Sequence, residues 1–376
     1  MRRLLIVSRR RFSFGATVSY DPAMTHPTQE TPPQTVVLVE VTRGSLIEAR
    51  HRGFIVVVDS AGQIVAQLGD GSARTWYRSA AKPFQTIPII TSGAAQHFGL
   101  TAQELAVITG SHSGEDIHLT AVSSILDKIG CTETELLCGA HTPFDDVTAK
   151  QLRATGQAPR ILHNNCSGKH AGMLAFAKFS QQPLANYIDP QHAIQRQIRE
   201  VLARFAAVPA EEIDIAVDGC SAPVFGVSLT AMARSYAQLV AARQTGSAQD
   251  ETLCQAAERV VAAMGEFPEM VGGNRNRLDT DLMRATHGQV IAKVGAEGVQ
   301  LLGVKPCPRY PAGLGIAIKI EDGDIRRARD PVVIETLRQL GLLTDEQLAQ
   351  LARYGRTPLF NFRRIEVGEV RTCFQL

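Results

Sequence analysis

Three short segments carry serine and lysine side chains at spacings that suit nucleophilic catalysis. In the first, residues 78–82 (RSAAK), a helix that begins near Ser79 would place Lys82 one turn later on the same face. A serine hydroxyl becomes a good nucleophile when a base takes its proton, and lysine is such a base only when its amine is neutral. Alone, S-x-x-K also fits a helix-capping serine beside a solvated lysine.

The second and third segments are GSHSGE, residues 110–115, and AKVG, residues 292–295. Each also has a structural explanation, because Ser113 could cap the following helix and Lys293 could face solvent on a hairpin. In chain order, however, the three segments read S-x-x-K, S-x-S and K-x-G. Serine β-lactamases and penicillin-binding proteins present S-x-x-K, S-D-N and K-T-G in that order. We therefore predict two catalytic pairs, Ser79 with Lys82 and Ser111 with Lys293.

Two cysteine-containing loops could form a metal site. Cys166 precedes Lys169 by three residues in NNCSGKHAGM, and Cys220 lies in the loop DGCSAP. Two thiolates from separate loops can hold a soft divalent metal such as zinc, with Lys169, His170 or Asp218 as a third ligand. The same cysteines also fit small buried hydrophobic residues. None of the seven cysteines forms a CxxC pair, and the sequence does not indicate a disulfide framework.

The bulk composition indicates a globular chain and excludes several classes of protein. Of the 376 residues, 44% are apolar and 20% are charged, with a net charge of +2. The absence of a basic arm argues against a nucleic-acid partner, and no apolar run approaches the roughly 18 residues of a membrane helix. Residues 1–34 contain an arginine cluster without the apolar stretch of an export signal. We expect a disordered extension there and a cytoplasmic protein.

Strands are predicted near both ends of the chain and helices between them. Residues 36–44 indicate a strand, residues 54–70 a β-hairpin, and residues 287–304 two strands around a turn at 295–298. A further hairpin is predicted to turn at Asp322-Gly323. Amphipathic patterns predict helices over residues 101–108, 115–129, 190–205, 249–264 and 331–340. This order favours an α+β fold with one antiparallel sheet flanked by helices, forming a single catalytic domain over residues 35–376.

The segments taken together resemble a known enzyme family. RSAAKPFQ, GSHSGE, NNCSGKHAGM, DGCSAPVF, GGNRNRLDTDLM and AKVGAEG are similar to segments of the asparaginase II family, the class 3 enzymes of thermolabile rhizobial type. The resemblance implies a homodimer with a serine β-lactamase-like fold that hydrolyses L-asparagine to L-aspartate and ammonia. The residues it assigns are the tandems Ser79–Lys82 and Ser111–Lys293, the zinc ligands Cys166, Lys169 and Cys220, and Arg78 and Asp218 beside the substrate.

On this basis we expect Ser79 to attack the side-chain amide carbon, with neutral Lys82 as its base and an acyl-enzyme as the intermediate. The zinc would orient the substrate, and Arg78 would bind its α-carboxylate. A β-lactamase, a penicillin-binding peptidase or a glutaminase of the same fold is an alternative, although S-H-S replaces S-D-N. A non-catalytic zinc- or ligand-binding domain is a further alternative, although such a domain needs no base.

Overall fold

Two antiparallel sheets form the frame of this computed structural model, which describes residues 33–245 and 251–376. The larger sheet has the strand order β10-β11-β1-β2-β9-β8-β7 with β3 paired to β2, and the smaller has the order β4-β6-β5. The predicted extension over residues 1–34 lies almost wholly outside the described residues. The strands are β1 Val36–Arg43, β2 Leu46–Asp59, β3 Ile64–Leu68, β4 Arg74–Trp76, β5 Asp214–Val217, β6 Pro223–Ser228, β7 Val290–Val294, β8 Val299–Val304, β9 Leu314–Ile320, β10 Thr357–Phe360 and β11 Glu366–Thr372.

Most of the helices lie between β4 and β7, and two follow β9. Arg78–Ala81 is a 3₁₀ turn that leads into α1, and Ile325–Arg329 is a short π-helix that leads into α13. The helices are α1 Lys82–Thr91, α2 Ala94–His97, α3 Ala102–Thr109, α4 Asp116–Ile129, α5 Asp146–Ala154, α6 Ser167–Phe179, α7 Ala193–Ala206, α8 Leu229–Val240, α9 Ala242–Thr245, α10 Glu251–Glu266, α11 Pro268–Val271, α12 Leu278–Ala285, α13 Asp330–Gln339 and α14 Asp345–Gln350.

The central strands are buried because helices cover the sheet. Ile55–Val58 in β2 are fully buried, which explains why this strand reads as a continuous apolar run. Helix α8 packs against β2, β8 and β9 at close range. At Gly315 a Cβ atom would lie 1.8 Å from the backbone oxygen of Ala233 in α8, so only glycine permits this approach. The packing of the core therefore fixes the position of β9. Because β8 pairs with both β9 and β7, the position of β7 is fixed as well.

The predicted α+β fold, with its antiparallel sheet flanked by helices, is confirmed. The hairpin β2–β3 and the strand pair β7–β8 form as predicted, and the five predicted helices correspond to α3, α4, α7, α10 and α13. The hairpin predicted at Asp322-Gly323 is wrong. Asp324 accepts a hydrogen bond from the Arg327 backbone N–H and begins the π-helix, so no returning strand forms. Within the described residues, no helix has both the length and the apolar character to cross a membrane.

Candidate active site

The Ser111 hydroxyl contacts two lysine amines that come from different parts of the fold. Ser111 lies in the turn between α3 and α4, Lys82 is the first residue of α1, and Lys293 is on β7. The Lys293 Nζ atom lies 2.8 Å from Ser111 Oγ, and the Lys82 Nζ atom lies 3.0 Å from it. The packing of α1, the α3–α4 turn and β7 therefore unites one residue from each of the three serine–lysine segments.

Burial favours the neutral form of both amines. Lys82 is 1% exposed and Lys293 is fully buried, and removal from water lowers the pKa of each amine. The backbone oxygens of Gly110 and Asn165 accept hydrogen bonds from Lys82 Nζ. A neutral amine has two hydrogens, so these carbonyls leave its lone pair for the Ser111 hydroxyl. Ser111 can then donate to Lys82 while it accepts from Lys293.

Ser79 lies at the start of the 3₁₀ turn before α1, and its side chain faces the same cavity as Ser111. Its hydroxyl makes no hydrogen bond with any residue that the structure describes, so the Lys82 amine contacts Ser111 rather than Ser79. The preceding residue, Arg78, has a φ of 48°, in the left-handed region that non-glycine residues rarely adopt. Such strain is common where the backbone positions a functional side chain. The other non-glycine residues with positive φ beside the site residues are Ser221, Asn276 and Glu297.

Arg78 is neutralised by protein carboxylates. Its Nε atom donates to Asp218 Oδ1 at 2.9 Å, and its Nη1 atom lies 4.0 Å from a carboxylate oxygen of Glu297. Asp218 also accepts a hydrogen bond from the Gly219 backbone N–H. This pairing does not favour the predicted role of Arg78 as the cation for a substrate carboxylate. It also does not favour the predicted role of Asp218 beside the substrate, because Asp218 is already engaged with Arg78. The pairing does hold the Cys220 loop against the start of the 3₁₀ turn.

The two predicted metal-binding thiols lie in one buried cluster with Lys169. The Lys169 Nζ atom, on α6, donates a hydrogen bond to Cys220 Sγ at 2.9 Å, and Cys166 Sγ donates to Asn165 Oδ1 at 3.6 Å. The neighbouring Cys166 thiol and the Lys169 charge hold the pKa of Cys220 far below its ordinary value. Burial alone would lower the pKa of Lys169, but the thiolate of Cys220 raises it. Without a bound metal, the cluster thus pairs the Cys220 thiolate with the Lys169 cation.

The donor set suits zinc. No group of three His, Cys, Asp or Glu side chains within residues 33–245 and 251–376 is arranged to hold a metal ion. If a metal ion binds here, an amine would have to supply the third protein ligand, and Lys169 is in contact with a thiol of the cluster. Two thiolates and one amine leave a fourth position for water or substrate, as in open zinc sites. A bound Zn²⁺ would require Lys169 to be neutral.

His170 and Tyr187 line the back of the thiol cluster. The His170 Nδ1 atom lies 2.7 Å from the Tyr187 hydroxyl, which also accepts a hydrogen bond from the Leu137 backbone N–H. The Nε2 atom of His170 is buried near the Cys220 thiol and has no hydrogen bond of normal geometry in the described part of the chain. His170 thus presents a polar atom to the thiol cluster.

The turn that carries Ser111 is held by the loop before α12. Ser113 does not cap α4; its hydroxyl donates to the Gly272 backbone oxygen at 2.8 Å. Gly273 has a φ of 137°, and a Cβ atom there would lie 2.4 Å from Ser113 Oγ, so glycine is needed for this contact. Farther out, Arg275 forms two hydrogen bonds of 2.7 Å with Asp145 and a salt bridge of 3.3 Å with Glu115. These contacts fix the position of Ser111.

A cavity of about 400 Å³ opens beside the two serines. The sequence reasoning missed its principal charged residue, Arg277, which lies in the loop before α12. Its Nη2 atom donates to the Ser111 backbone oxygen at 2.8 Å, and its Nη1 atom donates to Ser113 Oγ at 2.9 Å. The only available signal was the concentration of Gly, Asn and Arg in residues 272–277. The charged residues of the lining are Arg277, Asp279, Arg326, Arg329 and Asp330.

Comparisons with known proteins agree with the resemblance drawn from the motifs. The family model described as L-asparaginase II matches residues 39–372. No curated protein matches the chain. Among solved structures, a probable glutaminase from Bacillus subtilis complexed with 6-diazo-5-oxo-L-norleucine is 12% identical, with a TM-score of 0.37 and coverage of 77% of this chain and 84% of that chain. A structure named Mglu is 15% identical, with a TM-score of 0.39 and coverage of 81% and 67%.

The family match covers all the segments discussed above, from β1 to β11. It identifies an amidohydrolase, the class of enzyme to which this family belongs. The cavity, with two serine hydroxyls and two buried amines beside it, contains groups that such a reaction needs. The chain belongs to the L-asparaginase II family.

Proposed function

We propose that this chain hydrolyses L-asparagine to L-aspartate and ammonia through an ester on Ser79. The observation that carries the proposal is the convergence of Ser79, Ser111 and two buried lysine amines on one cavity. An unactivated amide needs a strong nucleophile and a proton donor for its leaving nitrogen. A cavity of about 400 Å³ suits a small amino acid.

In the first step, Ser79 Oγ bonds to the side-chain carbonyl carbon of asparagine, and the bond from that carbon to nitrogen breaks. Ser79 is the candidate nucleophile because its hydroxyl faces the cavity and no described residue holds it. Its proton passes to the neutral amine of Lys82, three residues later, whose lone pair must turn from Ser111 to Ser79 when the substrate binds. The contacts Lys82–Ser111–Lys293 then provide a path by which a proton reaches the departing nitrogen, which leaves as ammonia.

In the second step, a water molecule attacks the ester carbon. Its proton enters the same lysine–serine path and returns to Ser79 Oγ as the bond to that oxygen breaks, and L-aspartate is released. Ser111 is the second candidate for the nucleophile, because both amines contact its hydroxyl directly. The two assignments differ in which hydroxyl becomes acylated.

A zinc ion held by Cys166, Lys169 and Cys220 is part of the proposal. When bound, the ion would supply a positive charge that polarises or orients the substrate beside the cavity. The protein's part is to keep two thiols and one amine together in a buried cluster, with Asp218 and Arg78 joining this cluster to the Ser79 turn. The homodimer and the cytoplasmic location remain predictions that sedimentation and cell fractionation can check.

The test combines an ammonia assay with covalent trapping. The wild-type protein should release ammonia from L-asparagine faster than from L-glutamine, and it should not open a chromogenic cephalosporin. A diazoketone analogue of asparagine should label Ser79, as peptide mass spectrometry would show, while Ser79→Ala should remain unlabelled and bind zinc as the wild type does. Label on Ser111 would reverse the two serine roles. Preference for glutamine would make the protein a glutaminase, and no turnover of either amide would favour a ligand-binding domain.

A further inference from the structure

Arg277 is a partly buried cation whose hydrogen-bond partners in the protein are all neutral. Its two described hydrogen bonds go to the Ser113 hydroxyl and to the Ser111 backbone oxygen, and its guanidinium carbon lies 5.9 Å from the centre of the Phe144 ring. Within the described residues, no carboxylate forms an ion pair with it. A guanidinium has five N–H groups, so three remain for a ligand.

The other charged groups of the cavity form hydrogen bonds or ion pairs within the protein, or are exposed to solvent. Arg329 is paired with Asp330, and Arg326 lies in solvent at the rim. Asp279 accepts hydrogen bonds from the Val294 backbone N–H and from Gln300 Nε2. Asp279 and Glu115 favour the charge of Arg277 at longer range, but among the described residues no carboxylate forms an ion pair with it. Arg277 is therefore a partly buried cation of the cavity whose guanidinium can bind an anion.

We propose that Arg277 binds the α-carboxylate of the amide substrate. The planar guanidinium matches a carboxylate with two parallel hydrogen bonds, which a lysine cannot reproduce. The proposal rests on the proposed function for the identity of the substrate, because the amide end must lie at the serines. Since the same guanidinium holds the Ser111 backbone oxygen, the substrate's carboxylate would lie at a fixed separation from the reacting hydroxyls. Arg277 thus selects amino acid amides over simple amides.

Three substrates separate this role from a structural one. L-asparagine carries both α-groups, succinamate lacks the α-amino group, and 3-aminopropanamide lacks the α-carboxylate. For Arg277→Gln we expect KM to rise roughly 100-fold with the first two, because a buried charge pair is lost. With 3-aminopropanamide, kcat/KM should stay within about threefold of wild type, because that substrate never used the guanidinium. Arg363→Gln removes a similar charge from an exposed position outside the cavity lining, and its KM for asparagine should change by less than about threefold.

Equal losses on all three substrates would overturn the proposal and leave Arg277 only a structural role. Arg277→Lys keeps the charge without the paired hydrogen bonds, and it carries the test if Arg277→Gln does not fold. We expect Arg277→Lys to raise KM about tenfold for the two carboxylate substrates alone. Calorimetric titration with L-aspartate gives a readout that does not depend on turnover. If the wild type hydrolyses no amide but binds L-aspartate, and Arg277→Gln does not bind it, the proposed reaction fails while the carboxylate site stands; equal binding by the two proteins would refute the site.

Discussion

The Lys293 Nζ atom lies 2.8 Å from Ser111 Oγ, although the two residues are 182 positions apart in the chain. The contact joins β7 to the turn between α3 and α4, and Lys82 Nζ reaches the same hydroxyl at 3.0 Å. One serine therefore connects the helix that follows Ser79 to the central sheet. Any proton transfer between the helix that follows Ser79 and the central sheet would therefore depend on the packing of the core.

Replacement of Lys293 by methionine should separate activity from stability. We expect kcat to fall about 100- to 1,000-fold, because in the proposed mechanism this lysine exchanges protons with Ser111, which it contacts. The melting temperature should be equal or higher, because methionine fills similar volume without a buried amine. Ammonia release and thermal unfolding measure the two effects. Lys305→Met, at a partly buried lysine just beyond β8, is the matched control and should keep full activity. A loss in kcat smaller than about tenfold for Lys293→Met would remove this lysine from the mechanism.

The pH dependence of kcat should follow the neutral form of Lys293. Burial lowers the pKa of this amine well below its ordinary value of 10.5. Below the lowered pKa the amine is protonated and cannot accept a proton, so kcat should fall on the acid side. It should rise as the pH passes through that pKa and stay high on the alkaline side. In Lys293→Met this limb should disappear from the residual rate. A rate that falls steadily from about pH 6 to pH 9 would contradict the neutral amine.

Asp145 should stabilise the fold in a pH-dependent manner. Hydrogen bonds from Arg275 hold the pKa of this carboxyl well below its ordinary range, and the carboxylate also caps α5 through the Thr148 backbone N–H. Because the folded pKa lies below the unfolded value of about 3.9, the stabilisation is complete above that pH and is lost as the pH falls. At pH 7, Asp145→Asn should lower the free energy of unfolding by about 2–3 kcal/mol.

Urea denaturation at neutral and acid pH measures this effect. The difference between wild type and Asp145→Asn should shrink as the pH falls below about 4. Asp146→Asn alters the exposed neighbouring carboxylate, and it should change the free energy of unfolding by less than about 0.5 kcal/mol. A difference that does not depend on pH would mean that the asparagine disturbs packing rather than the ion pair.

The thiol cluster should bind zinc through Cys220. Elemental analysis of the purified protein should find zinc in the wild type and a strong loss in Cys220→Ala, because one of two thiolate ligands is removed. Cys131→Ala removes a buried thiol outside the cluster and should leave the metal content unchanged. Zinc retained in full by Cys220→Ala would place the metal elsewhere, and the absence of zinc from the wild type would refute the site.

Gly315 should be essential for the packing of α8 on β9. Its Cβ would overlap the Ala233 backbone oxygen at 1.8 Å, so Gly315→Ala must separate the helix from the sheet. We expect a loss of about 3 kcal/mol or more in the free energy of unfolding. Gly265→Ala is the control, since a Cβ at this position in α10 makes only ordinary contacts at 3.4 Å or beyond. That substitution should be neutral or stabilising by up to about 1 kcal/mol. Equal stability of the two variants would refute the packing argument.

The sequence determined the elements and most of the site residues. Apolar runs and alternation predict β1, β2, β3, β7 and β8 correctly, because side-chain direction within one strand or helix depends only on local spacing. The order of the serine–lysine segments likewise predicted that residues 82, 111 and 293 belong together. The hairpin at Asp322-Gly323 failed because a turn signal does not show whether the following residues find a strand partner, and here Asp324 begins a π-helix.

The tertiary structure decided which side chains meet. Local spacing paired Lys82 with Ser79, but packing of α1 against the α3–α4 turn gives the amine to Ser111. It also decided the ion pairs: Arg78 is paired with Asp218, whereas Arg277 is partly buried and forms no ion pair among the described residues. Such contacts join residues far apart in the chain, so they follow from the summed packing of whole elements. Burial, in turn, sets the desolvation of each amine and guanidinium, and with it the charge that each carries.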